Sequence, residues 1–154
     1  GWVNWIGYGM RPHDFHIAVI ESGRIDCFLC FCDYNLLRQT AADTVLPAAA
    51  DHDLGVMNGW SIMRGWLTGT PFEQIVARDK WNEDHQRAER MRRWCEQKGV
   101  SMLELSLQFC LREPRIHGHP IGSLNIEQLE ANVAAAAADV PDEIIAEFQA
   151  PGCR

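Results

Sequence analysis

Three glycines, Gly59, Gly65 and Gly69, punctuate the stretch Asn58-Gly-Trp-Ser-Ile-Met-Arg-Gly-Trp-Leu-Thr-Gly69, which follows the short apolar run Leu54-Gly-Val-Met57. A strand that ends in a glycine-bearing loop lets backbone N–H groups come close to anionic oxygens. The chemistry suited to this spacing is therefore the binding of a phosphate-bearing ligand. A second junction, Pro120-Ile-Gly-Ser123 running into the helical Ile126-Glu-Gln-Leu-Glu-Ala-Asn132, has the same form. Two strand-to-helix junctions in that order suggest a nucleotide cofactor site on a barrel. The remaining reactive side chains read more plainly. His117 and His119 flank Gly118 with no Cys or carboxylate at ligand spacing, so a metal or proton-relay role is not favoured. His13 and His16 stand at i,i+3 and are expected on a solvated helix face. Asp26 and Asp33 bracket the apolar run Ile25–Cys32, and Asp33 falls at a strand's C-terminal end, where barrel enzymes place functional groups. It either positions a cofactor or substrate or caps the loop.

Composition narrows the class. The chain has 154 residues, 47% of them apolar, enough for a core and for a single domain over 1–154. A net charge of -7 argues against a nucleic-acid surface. The basic cluster Arg87–Arg93 is interrupted by Glu89 and reads as a solvated helix face. No apolar run approaches the ~18–20 residues of a membrane span. The opening Gly1-Trp-Val-Asn-Trp5 lacks the charged region and cleavage pattern of a signal peptide. Of six cysteines, Cys27, Cys30 and Cys32 lie in one apolar run, Cys30 and Cys32 on one face and Cys27 on the other. They read as reduced core cysteines of a cytoplasmic protein, with no metal site.

The elements that must position these residues alternate. Strands are expected at Val3–Gly7, Ile25–Phe31, Gly55–Gly59 and Arg115–Ile121, short and mostly without polar alternation, as in a parallel sheet covered on both faces. Helices are expected over Pro12–Ser22, ended by Gly23; over Thr40–Asp53, kinked or delayed by Pro47; and over Lys80–Gln97. A further helix runs from the Ser101 cap, with Glu104 three residues on, to Arg112, followed by Ile126–Ala138 and a short helix begun by Pro141. The order βαβαβ(αα)βαα means an α/β fold with a parallel sheet, either a small open sheet or half of an eight-stranded barrel. Gly7-Tyr-Gly9 is followed by Met10-Arg-Pro12, so a dinucleotide fingerprint after the first strand is weak.

The ordered series Ile20-Glu-Ser-Gly-Arg-Ile-Asp26, Tyr34-Asn-Leu-Leu37, Leu46-Pro-Ala-Ala49, Gly55-Val-Met-Asn58, Gly65-Trp-Leu-Thr-Gly69, Gly99-Val-Ser101, Gly122-Ser123 and Gln128-Leu-Glu-Ala-Asn132 resembles the aldo-keto reductases, in particular their aldose and galactose dehydrogenase branch. The resemblance spans nearly the whole chain. It implies a TIM (β/α)8 barrel of which this chain is the C-terminal half, about the fifth to eighth strands. It also implies an oxidoreductase acting on an aldose or another small carbonyl or alcohol. The family's catalytic Asp, Tyr, Lys and His would lie on an upstream half. Neither Tyr8 nor Tyr34, the only tyrosines, occupies the acid's position in the family pattern, and no catalytic residue is assigned.

What the resemblance implies for this half is a nicotinamide dinucleotide, NAD or NADP. Asn58, Trp60, Ser61, Ile62, Gly65, Leu67 and Thr68 correspond to the loop that wraps the pyrophosphate. Gly122 and Ser123 lie near the adenosine ribose, and Gln128 and Asn132 at the adenine end. The chain has Trp60-Ser-Ile62 where the family has Ser-Pro-Leu, and Gly9-Met10 where a Ser-Asn or Ser-Gly pair holds the nicotinamide amide. The family's arginine and lysine are replaced by Gln128 and Gly122, which leaves a 2′-phosphate without a charged partner and favours NAD. Trp60 and Trp66 either stack on a cofactor ring or pack at the barrel mouth. A competing expectation is a non-catalytic half-barrel that self-associates or docks through its open strand edges. A third is an unrelated small α/β phosphate-binding protein.

Overall fold

The structure is a computed structural model that describes residues 1–75 and 83–149. Two compact units divide the chain. The first holds Gly1–Ser61 and Cys110–Ile121, and the second holds Ile62–Phe109 with Gly122 onward.

The first unit is built on a three-stranded parallel sheet in the order β1 (Gly7–Met10), β2 (Cys27–Phe31), β3 (Gly55–Gly59). Gly7 pairs with Cys27, and Cys27 with Gly55. Helix α1 (His13–Glu21) connects the first two strands, and a 3-10 turn (Thr40–Asp43) with α2 (Val45–Asp51) connects the next two. The sheet's buried side chains include Phe28, Cys30 and Val56, and α1 and α2 contribute Ile20, Leu46 and Ala49. Each such buried aliphatic or aromatic side chain contributes about 1.5–3 kcal/mol. Cys27 lies on the opposite face of β2 from Cys30, as the alternation of a strand requires.

Two strand expectations are corrected. The first strand begins at Gly7 rather than Val3: Trp2, Val3, Trp5 and Ile6 are exposed, while the Ile6 backbone donates to the Asp26 carboxylate and accepts from Asp26 and Cys27 N–H. Residues Arg115–Ile121 form no strand but a single bridge, Met57 to Gly118. There His117 N–H donates to Val56 O, yet Val56 N–H donates to the His117 ring Nδ1 rather than to a backbone carbonyl. Pro120 has no N–H to extend the ladder. The helix expected over Thr40–Asp53 is also split. Thr44 leaves helical geometry (φ -127°, ψ -85°), and Pro47 falls in the first turn of α2, where its missing N–H costs little.

The second unit holds the turn Met63–Gly65 and helices α3 (Phe72–Ile75), α4 (Glu83–Lys98), α5 (Met102–Leu111), α6 (Ile126–Ala136) and α7 (Asp142–Gln149). Lys80–Asn82 of the expected charged helix lie outside the described residues. Glu89 of α4 accepts from Arg92 and Arg93, so the basic cluster neutralises itself along the helix. Ser101 Oγ accepts Glu104 N–H at the start of α5, and Asn125 Oδ1 accepts Gln128 N–H at the start of α6. At the other end of α6, the Gln108 amide donates to the carbonyls of Ala135 and Ala136. Trp94 of α4 meets Phe148 of α7 edge-on at 5.6 Å. No helix among the described residues is long and apolar enough to cross a membrane.

Candidate functional site

The candidate cofactor residues fall in both units: Asn58, Trp60 and Ser61 in the first, the others in the second. In the first, β3 ends in a buried polar cluster. Asn58 is 1% exposed, and its amide donates to Tyr34 O at 2.8 Å and to Ser61 Oγ at 3.2 Å. Ser61 Oγ lies 3.2 Å from His119 Nδ1. Burial holds the His119 imidazole below its ordinary pKa, so it is neutral. Asn58 Oδ1 and His119 Nε2 are buried and meet no hydrogen-bond partner among the described residues. His119, which has no ligand spacing in the sequence, thus closes on two of the candidate residues, Asn58 and Ser61. Trp60 sits at positive φ (65°) with its ring 5.8 Å from Phe31.

In the second unit the loop turns through three successive left-handed residues, Met63 (46°), Arg64 (57°) and Gly65 (95°). The N–H groups of Gly65 and Leu67 both donate to Ile62 O, and Thr68 N–H donates to Gly65 O. Thr68 Oγ1 also donates to Gly65 O, at 2.8 Å. The later part of the loop is thus spent on its own turn. Arg64, exposed in the loop, was not singled out from the sequence. Ser106 Oγ lies 2.9 Å from Leu67 O and 2.6 Å from Met102 O and shares its one proton between them, linking the loop to α5. Trp66 packs on His85, ring centres 3.9 Å apart. Farther along, Asn132 Nδ2 donates to Ser123 Oγ at 3.1 Å, and Gln128 Oε1 accepts Leu124 N–H. Asn132 thus lies beside Ser123 and Gln128 beside Leu124, while a Cβ on Gly122 would meet nothing within 4 Å.

A second polar cluster sits at the C-terminal ends of β1 and β2. His16, expected on a solvated face, is fully buried: its Nε2 lies 2.8 Å from Met10 O and its Nδ1 2.7 Å from the Tyr8 hydroxyl. The correction is physical, since Phe28 and Tyr8 cover that side of α1 with their rings. His13, also expected in solvent, is partly buried against Asp33, Nε2 to Oδ2 3.2 Å, and against Thr44 Oγ1 at 2.8 Å. Asp33 is 6% exposed and also lies 3.5 Å from Arg11 Nε. Burial, then Asp33 and Cys32, push the Cys30 thiol up to about 12.

The comparisons with known proteins bear on all of this. Residues 15–151 match the model of the aldo/keto reductase family. The chain is 27% identical over 145 residues to an L-galactose dehydrogenase of Arabidopsis thaliana, covering 88% of this chain and 42% of that protein. It is 26% identical over 152 residues to a D-threo-aldose 1-dehydrogenase of Pseudomonas sp, covering 96% and 46%. It thus spans about half the length of the curated relatives it matches. Its backbone resembles that of the aldo-keto reductase AKR11C1 from Bacillus halodurans (holo form), with a TM-score of 0.70 at 20% identity, over 92% of this chain and 47% of that one. The parallel sheet and its helices are accordingly part of a TIM barrel, about half of one. With the family model covering most of its length, the chain belongs to the aldo/keto reductase family.

Proposed function

We propose that this chain supplies the nicotinamide-dinucleotide-binding half of an oxidoreductase that exchanges a hydride with an aldose or another small carbonyl or alcohol. The catalytic Asp, Tyr, Lys and His would stand on a preceding half-barrel. The observation that carries this reading is the loop after β3, where the consecutive Met63, Arg64 and Gly65 all take positive φ. Successive residues of that kind turn backbone dipoles toward one side and suit an anionic oxygen. The donor set at the other candidate position fits as well. Ser123, Gln128 and Asn132 offer hydroxyl and amide groups and no charge, which suits a ribose hydroxyl and favours NAD over NADP. The names of the relatives, a galactose and an aldose dehydrogenase, supply the substrate class. A bound nicotinamide supplies hydride chemistry; this chain's share is to hold and orient it. Titrating NADH and NADPH against the emission of the six tryptophans tests the reading. Saturable quenching, tighter with NADH, supports it; none up to millimolar cofactor removes it.

A second reading rests on the exposed Trp2 (104%), Trp5 (75%) and Ile6 (55%) beside β1, which among the described residues pairs only with β2. They suit a non-catalytic half-barrel that self-associates or docks at its sheet edge. Solution mass tests it: a monomer at high concentration removes self-association.

A further inference from the structure

We propose that His13, Cys30 and Asp33 form a binding site for a thiophilic divalent cation of the zinc class. The three come from different elements of the first unit: the first residue of α1, the buried face of β2 and the turn that follows β2. One ligand atom from each, an imidazole nitrogen, the thiol sulfur and a carboxylate oxygen, lies within 4.8 Å of the other two. Tetrahedral zinc holds such atoms roughly 3.3–3.8 Å apart, judged from its bond lengths. His13 Nε2 and Asp33 Oδ2 are already 3.2 Å apart, so only the sulfur has to close in.

The hydrogen bonds around His13 aim it at a cation. Thr44 Oγ1 donates its one proton to Thr40 O at 2.9 Å, so toward His13 Nδ1, at 2.8 Å, it can only accept. Nδ1 therefore carries the proton, and Nε2 is turned toward the Asp33 carboxylate. Two acceptors do not face each other at 3.2 Å without a positive charge between them, either a proton or a metal. Metal-bound histidines donate their other ring N–H to a carboxylate, a backbone carbonyl or water, and here the Thr44 hydroxyl takes that place.

Charge and ligand type select the ion. A neutral imidazole, a thiolate and a carboxylate sum to two negative charges and neutralise a divalent cation. The thiolate favours zinc or cobalt over magnesium or calcium. When the metal–sulfur bond forms, the Cys30 S–H bond breaks and its proton leaves to solvent, as does any proton on His13 Nε2; no electron moves. Arg11, half exposed at 3.5 Å from Asp33, competes with the cation for the same oxygen. Cys32 is not a ligand, because its sulfur accepts from Arg38 at 2.8 Å. Three protein ligands leave a fourth coordination position open. The proposal does not rest on the cofactor reading.

Cobalt(II) titrated into the reduced full chain provides the test, read by sulfur-to-cobalt charge-transfer absorption that zinc then bleaches. The band is expected in the wild type, in Cys27→Ser and in Cys32→Ser, and is lost in Cys30→Ser. Thr44→Val weakens affinity about 10–100-fold, His13→Ala weakens it at least as much, and Arg11→Gln tightens it. No thiolate band at saturating cobalt overturns the proposal, as does a band that survives in Cys30→Ser. If Cys30→Ser fails to fold by circular dichroism, unchanged affinity in both His13→Ala and Thr44→Val overturns it instead.

Discussion

Replacing Tyr8 with Phe removes one hydroxyl, and its cost falls on His16. A carbonyl only accepts, so the 2.8 Å contact with Met10 O puts a proton on His16 Nε2, and Nδ1 must accept from the Tyr8 O–H at 2.7 Å. Burial is the largest influence and holds the imidazole below its ordinary pKa, opposed in part by the bond to Met10. Below about pH 6.5 the unfolded chain therefore takes up a proton that folded His16 refuses. This share of stability is complete above that pH and is lost as pH falls below it. In Tyr8→Phe the ring keeps its contacts with Phe15 and Phe28, at 6.1 and 6.0 Å, so no cavity opens. What remains is a buried acceptor without a donor, which costs about 1–3 kcal/mol. Against a total stability of about 5–15 kcal/mol that is readily measured. The assay is urea unfolding followed by tryptophan emission, at about pH 7.5 and about pH 5.5 on either side of the histidine range. The variant loses 1–3 kcal/mol at the higher pH by the same reckoning. It also shows a flatter acid loss, because the neutral ring has lost its donor and its pKa rises. Stability within about 0.3 kcal/mol of wild type at pH 7.5 would refute the assigned tautomer and bond.

Glu89 is held at about 2 chiefly by the Arg92 hydrogen bonds, with Arg93 adding to them. Its contribution is present above the ordinary carboxylate pKa of 4.5 and lost as pH falls through 2. Thermal melts of Glu89→Gln should show a loss of about 1.5–3 kcal/mol at neutral pH that vanishes in acid. Ser106→Ala removes the hydroxyl shared by Leu67 O and Met102 O and should cost about 1 kcal/mol, with faster hydrogen exchange in the 65–68 turn as its signature. Asn132→Ala removes the amide that holds Ser123 and should weaken NADH binding roughly 2- to 12-fold by titration, with little change in melting temperature.

How legible the chain is depends on whether a feature is local. β3 appears at Gly55–Gly59 as expected, because an apolar run between a loop and a glycine punctuates itself. The caps by Ser101 and Asn125 and the stop after α1, where Gly23 takes φ 64°, are equally local. The start of β1 is a matter of register: Trp2–Ile6 is as apolar as a strand, but the pairing with β2 begins at Gly7. Thr44 breaks a helix that alanine content alone would continue. His13, Cys30 and Asp33 share no local pattern in the sequence, since the three meet from separate elements of the fold. His16 was misplaced for a related reason, since i,i+3 spacing does not say which helix face the sheet covers.

The polar groups of the first unit are distributed unevenly along its strands. His16 holds the carbonyl of Met10, the last residue of β1. Asp33 and Asn35, 6% and 0% exposed, follow the end of β2, and Asn58 and Ser61, each 1% exposed, stand at the end of β3. Asp26, which accepts Ile6 N–H, is the corresponding group at the strands' other ends, and it is not among the buried polar residues. Desolvating a polar side chain costs more than burying a valine in its place, even when it is hydrogen-bonded. Three parallel strands that gather this cost at their C-terminal ends do so on the edge where open and closed parallel α/β sheets receive their ligands. Part of the cost is structural: Asn35 Oδ1 accepts Leu37 and Arg38 N–H, and Asn58 Nδ2 donates to Tyr34 O, backbone groups that Val or Leu would leave unpaired. What no structural role uses is Asn58 Oδ1 and His119 Nε2, buried and unmatched among the described residues, and it is these two atoms at the end of β3 that speak for a ligand at this edge.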